Sequence, residues 1–359
     1  MKVKKFGNIA VPAIGQGTGG DDVCDESHRI RVLQCGIDLG MTLIDTAETY
    51  RKGHADEAVG KAVRGKRDKV FIATKFSPEH NHYEGVIGAL EGSLRRLNTD
   101  YVDLYQVHWP NPSVPIENTM RAMMDLKDSG KVLHIGVSNF SLRQLIQAQS
   151  ACSAKIESNQ VEYNLLERSI ENDLLPYSSQ EGIMTIAYNP LLRGKKGAEV
   201  LSIIARKYEK HPVQVILNWL ISHGTVVAIP RTLSLEHTRE NAVAADYELE
   251  PRDIAEIDRT FKHGVIEVPT SRIRVLSSNH EPVYVTLREA LENRFNLTPS
   301  PQELARDILE NNILKPVRLR LSIDPNGRYD YDLIQGRVRY WAWIIAHGTD
   351  IPIPAYLHE

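Results

Sequence analysis

The chain has 359 residues, 42% of them hydrophobic and 25% charged, with a formal net charge of −3. That length holds one large domain, or a barrel-sized domain followed by a small one, with ample apolar material for a core. The near-balanced charge gives no electrostatic ground for a nucleic-acid or membrane partner, and no window reaches the roughly 18 consecutive apolar residues of a membrane span.

Residues 1–6 are basic but no apolar run follows them, so no secretory leader is expected and the chain reads as cytoplasmic. Cys24, Cys35 and Cys152 are odd in number and lack C-x-x-C spacing. That pattern disfavours a disulfide framework and a zinc site, and leaves buried or inert thiols, with no metal expected.

In chain order, short apolar runs alternate with amphipathic stretches. Strands are expected over 13–17, 42–45, 70–75, 102–108, 133–137, 156–160, 183–188 and 226–229. Helices are expected over 26–39, 55–64, 83–97, 117–129, 142–149 and 213–222, where apolar residues recur three and four apart. Eight strands with intervening helices over about 250 residues describe an α/β fold, a (β/α)8 TIM barrel, with an open doubly wound sheet as the runner-up. Gly15-Gln16-Gly17-Thr18-Gly19-Gly20 spells G-x-G-x-x-G. Asp21 and Asp22 follow it, however, where a dinucleotide fingerprint needs a helix N-terminus open to pyrophosphate, and two carboxylates there would repel the anion. A strand-to-loop turn of a barrel fits better.

After Phe261 the texture changes. Residues 264–281 hold Pro269, scattered Ser and Thr, and no helical period, and read as a linker. Residues 282–359 read as a small α+β domain: helices over 286–294 and 301–311, a strand over 317–323, a turn at 325–327, a strand over 331–334 and a helix over 338–346. The expected organisation is therefore 1–263 barrel, 264–281 linker and 282–359 C-terminal domain. No internal repeat or low-complexity tract is present.

Three consecutive strand-like runs finish on Asp45, Lys75 and His108, and Tyr50 follows Asp45 by five residues. If the strands are parallel neighbours, the four side chains meet at one rim. A tyrosine of pKa about 10 is a poor acid near neutrality, and a cation beside it favours the phenolate and pulls that pKa down. Lys75 can supply the charge, Asp45 can hold Lys75, and His108 can orient a carbonyl oxygen. The set suits protonation of an oxygen while hydride reaches its carbon. Any one of these residues alone would read as a cap, an ion-pair partner or a core histidine; four of complementary type at strand C-termini, where barrel active sites sit, do not.

The Asp45, Tyr50, Lys75 and His108 set is joined by His108-Trp109-Pro110, Gly136-Val137-Ser138-Asn139-Phe140, Gln160, Ala187-Tyr188-Asn189-Pro190-Leu191, and Ile229-Pro230-Arg231-Thr232 with Glu240-Asn241. On these motifs residues 3 to about 261 resemble an aldo-keto reductase. The resemblance implies NAD(P)H-dependent reduction of an aldehyde or ketone to an alcohol, with Tyr50 as proton donor. It further implies Ser138, Asn139 and Gln160 on the nicotinamide carboxamide and Tyr188 stacked on the ring. Gly17 and Thr18 would touch the cofactor from the first loop, Asp45 would lie beside it, and Asn189 and Leu191 would lie near the pyrophosphate. Arg231, Thr232, Arg239 and Asn241 would hold the adenosine end.

Where relatives carry an arginine for the 2′-phosphate, this chain has His237, a weaker anion partner than a guanidinium. NADPH is the expected cofactor, with NADH as the alternative. Trp109 and the loop 111–116 are expected to wall the substrate pocket, beside His108 and Tyr50. The barrel ends soon after Arg252 without the extended tail of many relatives, which implies a wide, permissive pocket.

Residues 282–359 resemble a ParB-like or sulfiredoxin-like fold, on 308–317, on Tyr331-Asp332-Leu333-Ile334-Gln335-Gly336-Arg337-Val338-Arg339-Tyr340, and on Ile353-Pro354-Ala355. The resemblance implies nucleotide binding through Gly336, Arg337 and Arg339, since a glycine and basic groups at a helix start can cradle phosphate. Sulfinic acid repair is not expected, because Cys152 is the last cysteine in the chain. The balanced charge argues against a DNA clamp. Two other function classes stay open at this point: a scaffold that senses NADP(H), and a nucleotide-handling protein to which the barrel is accessory. The physiological substrate and oligomeric state are not legible.

Overall fold

Strands that alternate in sequence with helices admit a closed barrel or an open doubly wound sheet, and the observed sheet is closed. The computed structural model describes every residue except 21, 23, 192–197, 262–265, 277–283, 312–313, 325–326, 350 and 359. The chain divides into two compact units, Met1–Pro110 with Val114–Lys262, and His263–Glu359 with Asn111–Ser113.

The first unit opens with an antiparallel hairpin, β1 (Val3–Phe6) and β2 (Ile9–Pro12). Eight parallel strands follow: β3 (Gln16–Gly17), β4 (Leu43–Asp45), β5 (Phe71–Phe76), β6 (Val102–Val107), β7 (Val132–Ser138), β8 (Ile156–Glu162), β9 (Met184–Tyr188) and β10 (Val226–Ala228). The helices that coat them are α1 (Glu26–Asp38), α2 (His54–Ala62), α3 (Tyr83–Leu97), α4 (Ile116–Asp128), α5 (Leu142–Ser150), α6 (Leu174–Glu181), α7 (Ala198–Lys207), α8 (Pro212–Ser222), α9 (Leu235–Ala242) and α10 (Pro251–Phe261). Each strand pairs with the next in sequence. Ile14 bridges to Ala228 in parallel and Gly15 N–H donates to the Ala228 carbonyl at 2.8 Å, which closes the barrel and excludes the open sheet.

A period of two sorts the strand residues. Leu43, Phe71, Ala73, Leu104, Met184, Ile186, Val227 and Ile229 form one inner cluster with Phe6 and Val11 of the hairpin. Ile44, Ile72, Tyr105, Val107, Ile135 and Val137 pack instead with the helices. Continuing the inner set toward the strand C-termini reaches Asp45, Lys75, Gln106, Ser138, Gln160 and Tyr188. The interior is thus apolar below and polar at the rim.

The expected strand over 13–17 is regular only at Gln16–Gly17, because a Cβ on Gly15 would come within 2.6 Å of the Leu43 carbonyl and the two chains close too tightly there for a longer ladder. The hairpin and α6, α7, α9 and α10 extend the expected list.

The second unit contains β11 (Ile266–Val268), β12 (Ile273–Val275), α11 (Leu287–Leu291), α12 (Pro301–Asn311), β13 (Val317–Leu321), β14 (Tyr331–Gln335), α13 (Arg337–His347) and β15 (Ile353–His358). The strands form one mixed sheet in the order β11-β15-β13-β14-β12. Val268, Ile273, Leu319, Leu333, Ile353 and Ala355 face a core that includes Tyr340, Trp341 and Ile344 of α13.

Two expectations are corrected here. Residues 264–281 are not simply a linker: β11 and β12 lie within them and form both edges of the sheet. Their brevity, three residues each, left no alternation to read. The helix expected over 286–294 is limited to Leu287–Leu291; Asn293 and Asn296 adopt φ of 43° and 50°, which a helix cannot continue through. The turn expected at 325–327 lies mostly outside the described residues.

Candidate active site

β4 delivers Asp45 to the rim, and the chain then turns through Tyr50–Gly53, where Arg51, Lys52 and Gly53 all have positive φ (51°, 56° and 92°). This left-handed run folds the chain back so that Tyr50 faces Lys75 at the end of β5. From β3, Gly19 lies over the phenol: a Cβ there would sit 3.2 Å from the Tyr50 ring.

The four predicted rim residues meet. Lys75, fully buried, places Nζ 2.8 Å from both Asp45 carboxylate oxygens, 2.9 Å from the Thr46 carbonyl and 3.2 Å from the Tyr50 hydroxyl. The His108 ring stands edge-on to Tyr50 with centroids 5.7 Å apart. Burial works against the Lys75 charge, but Asp45 and Tyr50 outweigh it, so the ammonium holds its proton more tightly than usual. Burial, with a push from Lys75, pulls His108 from 6.5 to about 3, so the imidazole is neutral throughout the physiological range.

The expected effect of Lys75 on Tyr50 is corrected. Burial raises the phenol above its ordinary value, and the pull of Lys75, opposed by Asp45, does not undo it. Tyr50 is accordingly a protonated phenol at neutral pH, a group with a proton to give.

The residues expected on a nicotinamide also converge. Gln160 Nε2 donates to Asp45 at 2.7 Å, and Ser138 Oγ donates to the Gln160 carbonyl at 2.9 Å. Asn139, at φ 63°, donates from Nδ2 to the His108 carbonyl at 3.0 Å and accepts from the Tyr188 hydroxyl at 2.9 Å. Trp109 is 43% exposed beside them in sequence. Asn189 sits at φ 47° with its carbonyl accepting from Asn164, and Leu191 is half-buried against the outer core.

At the other side of the β3 loop a pocket is lined by Gly17, Thr18, Arg29, Arg231, Thr232 and Asn241 among others. Thr18 is anchored through Oγ1 to the Asp45 carbonyl at 2.9 Å. Gly17 permits close approach, since a Cβ would lie 2.9 Å from the Ile229 carbonyl. Arg231 pairs with Asp22. Arg239 and His237 are exposed on α9, whose Thr238 and Asn241 line this pocket. The ligand set fits a phosphorylated dinucleotide, because Arg29 Nε, Arg231 Nε and Asn241 Oδ1 are buried and have no hydrogen-bond partner among the described residues.

In the second unit Gly336, at φ 97°, caps α13, and Arg337 Nε is buried without a partner among the described residues. Arg339 lies against Gly336, its Nη2 3.0 Å from where a glycine Cβ would sit, while its Nη1 donates to the Lys315 and Pro316 carbonyls, both at 2.8 Å.

Sequence reasoning passed over three contributors. The Thr46 carbonyl takes a Lys75 proton, a backbone role no side chain announces. Asp56, fully buried, accepts from Thr46 Oγ1 at 2.8 Å and pairs with Arg96 at 2.9 Å. Arg29 was legible as a charge within the stripe Arg29, Val32, Leu33, Gly36, Ile37 of α1.

The closed barrel thus joins a lysine–aspartate pair, a phenol and a neutral imidazole at one rim. A model described as the aldo/keto reductase family matches residues 13–261, and the chain belongs to that family. It is 39% identical over 264 residues to methylglyoxal reductase YeaE of Escherichia coli, covering 71% of this chain and 93% of that protein. It is 35% identical to glyoxal reductase of Bacillus subtilis, covering 72% and 92% respectively. Among solved structures, an aldo/keto reductase from Klebsiella pneumoniae in complex with NADP and acetate superposes with a TM-score of 0.68 at 38% identity, covering 72% of this chain and 95% of that one.

Proposed function

We propose that the barrel reduces small aldehydes or ketones to alcohols with NADPH, α-oxoaldehydes first among them, with Tyr50 as proton donor. The observation that carries this reading is the Tyr50 hydroxyl 3.2 Å from a buried Lys75 ammonium that is itself held by Asp45. Similarity to methylglyoxal and glyoxal reductases supports the substrate class, and similarity to a protein solved with NADP supports the cofactor.

When bound, the reduced cofactor supplies hydride to the carbonyl carbon. Tyr50 gives its proton to the carbonyl oxygen, and the Lys75 ammonium stabilises the phenolate left behind. Asp45 keeps Lys75 aimed at the phenol. Neutral His108 offers an N–H to the same oxygen and so orients it without competing as an acid. Ser138, Asn139 and Gln160 offer amide and hydroxyl groups to a carboxamide, and Tyr188 offers an aromatic face. Arg231, Thr232 and Asn241 would hold the adenosine end.

Consumption of NADPH with methylglyoxal, followed at 25 °C for the full chain, tests the proposal. Tyr50→Phe should lower kcat by at least about a hundredfold, the size of a lost general acid, with NADPH affinity little changed. Equal turnover by the variant removes Tyr50 from the acid role.

For the C-terminal unit we read a ParB-like module that binds a nucleotide phosphate at the start of α13. Gly336 at φ 97° and the orphaned Nε of Arg337 favour it. Titration of ATP into the full chain and an Arg337→Ala variant tests it; identical isotherms would leave the unit a structural or protein-binding role.

A further inference from the structure

Along the buried stripe of α1 a guanidinium stands where the helical period calls for an apolar side chain. Arg29 is 4% exposed. Its Nη2 donates to the Asp22 carbonyl at 3.0 Å, and its Nε has no hydrogen-bond partner among the described residues. The Asp22 carboxylate pairs with Arg231 and offsets Arg29 only in part. Burial first, then repulsion by Arg51 and Arg231, weakens its hold on its proton.

A buried cation beside two like charges is costly to the fold unless an anion joins it. The same pocket wall presents Thr232 and the orphaned Oδ1 of Asn241. An orphaned N–H of a guanidinium, backed by a second guanidinium, is a forked donor suited to a phosphate monoester. Arg239 and His237 lie exposed on α9, the helix that lends Thr238 and Asn241 to this lining.

We infer that Arg29 is the specificity-determining cation of the cofactor site, receiving the 2′-phosphate that separates NADPH from NADH. This rests on the reading that the barrel uses a nicotinamide dinucleotide. A residue of α1 thereby joins Arg231 and the α9 residues Thr238 and Asn241 around one pocket.

Calorimetric titration of the full chain with NADPH, NADH, 2′,5′-ADP and 5′-ADP tests the assignment without turnover. In Arg29→Met the dissociation constants of NADPH and 2′,5′-ADP should rise about 10- to 100-fold, the loss of one charge-assisted contact, while those of NADH and 5′-ADP stay within about threefold. Equal weakening of all four would make Arg29 a ligand of the shared 5′-phosphate or a staple for the Asp22 loop, and overturns the assignment. So does an unchanged NADPH affinity, or a wild-type chain with no preference for NADPH over NADH. A wild-type chain that binds none of the four removes the cofactor reading itself, and this assignment with it. Should Arg29→Met fail to fold, Arg29→Lys decides: NADPH weakened relative to NADH supports the assignment, and an unchanged ratio overturns it.

Discussion

Lys75 keeps its charge inside the barrel because two carboxylate oxygens, a carbonyl and a phenol surround it, all within 3.2 Å. Removing one partner of such a pair strands the other. Lys75→Met should therefore destabilise the chain by about 3–5 kcal/mol in urea unfolding, on top of any loss of turnover, because Asp45 is left buried and unpaired. His108 gives a pH signature of opposite kind. Its folded value lies near 3 against 6.5 when free, so the unfolded chain binds the extra proton first as pH falls. Stability from this residue is complete above about pH 6.5 and drains away between 6.5 and 3. Urea midpoints at pH 7 and pH 4.5 should differ less for His108→Gln than for the wild type; an equal difference would refute the assignment. Asp45, Tyr50, Lys75 and His108 could be read from the chain because each ends or follows an apolar run. The direction of the Tyr50 shift could not, because enclosure outweighs a neighbouring cation only once the surrounding shell is known.

The turn at Tyr50–Gly53 stores backbone strain in Arg51 and Lys52, each in a conformation that costs an L-residue about 1 kcal/mol or more. Gly53 relieves the third position, and a Cβ there would also approach the Arg96 side chain to 2.7 Å. Gly53→Ala should destabilise the chain by about 1–3 kcal/mol and, by displacing Arg96 from Asp56, loosen Thr46 beneath Lys75. A drop in kcat with little change in NADPH affinity is the expected kinetic companion; a thermal melt and a titration on the same variant check both. Long periodic elements were the legible ones: Tyr83–Leu97 is observed with the predicted bounds. The two-residue β3 and the three-residue β11 and β12 carry too few side chains for any period, and only pairing with distant strands defines them.

At the scale of the chain, the barrel followed from eight alternating segments, whereas the C-terminal sheet did not follow from its own local pattern. Its edges come from the segment that reads as a tether. A fragment of residues 263–359 should accordingly fold and melt cooperatively. A fragment of 282–359 lacks both β11 and β12, exposes the flanks of β15 and β14, and should aggregate or stay unfolded. Circular dichroism and gel filtration of the two fragments distinguish these outcomes. Thr270 reinforces the point, since Tyr340 of α13 donates to its carbonyl at 3.0 Å.

Because β11 opens this unit and β15 ends it, and Ile266 lies directly across from Ala355, its entrance and its exit run side by side. A module whose two ends meet on neighbouring strands behaves as a cassette. It can be grafted into an exposed loop of a host without forcing that loop apart, or re-cut elsewhere and rejoined by a few glycines into a circular permutant.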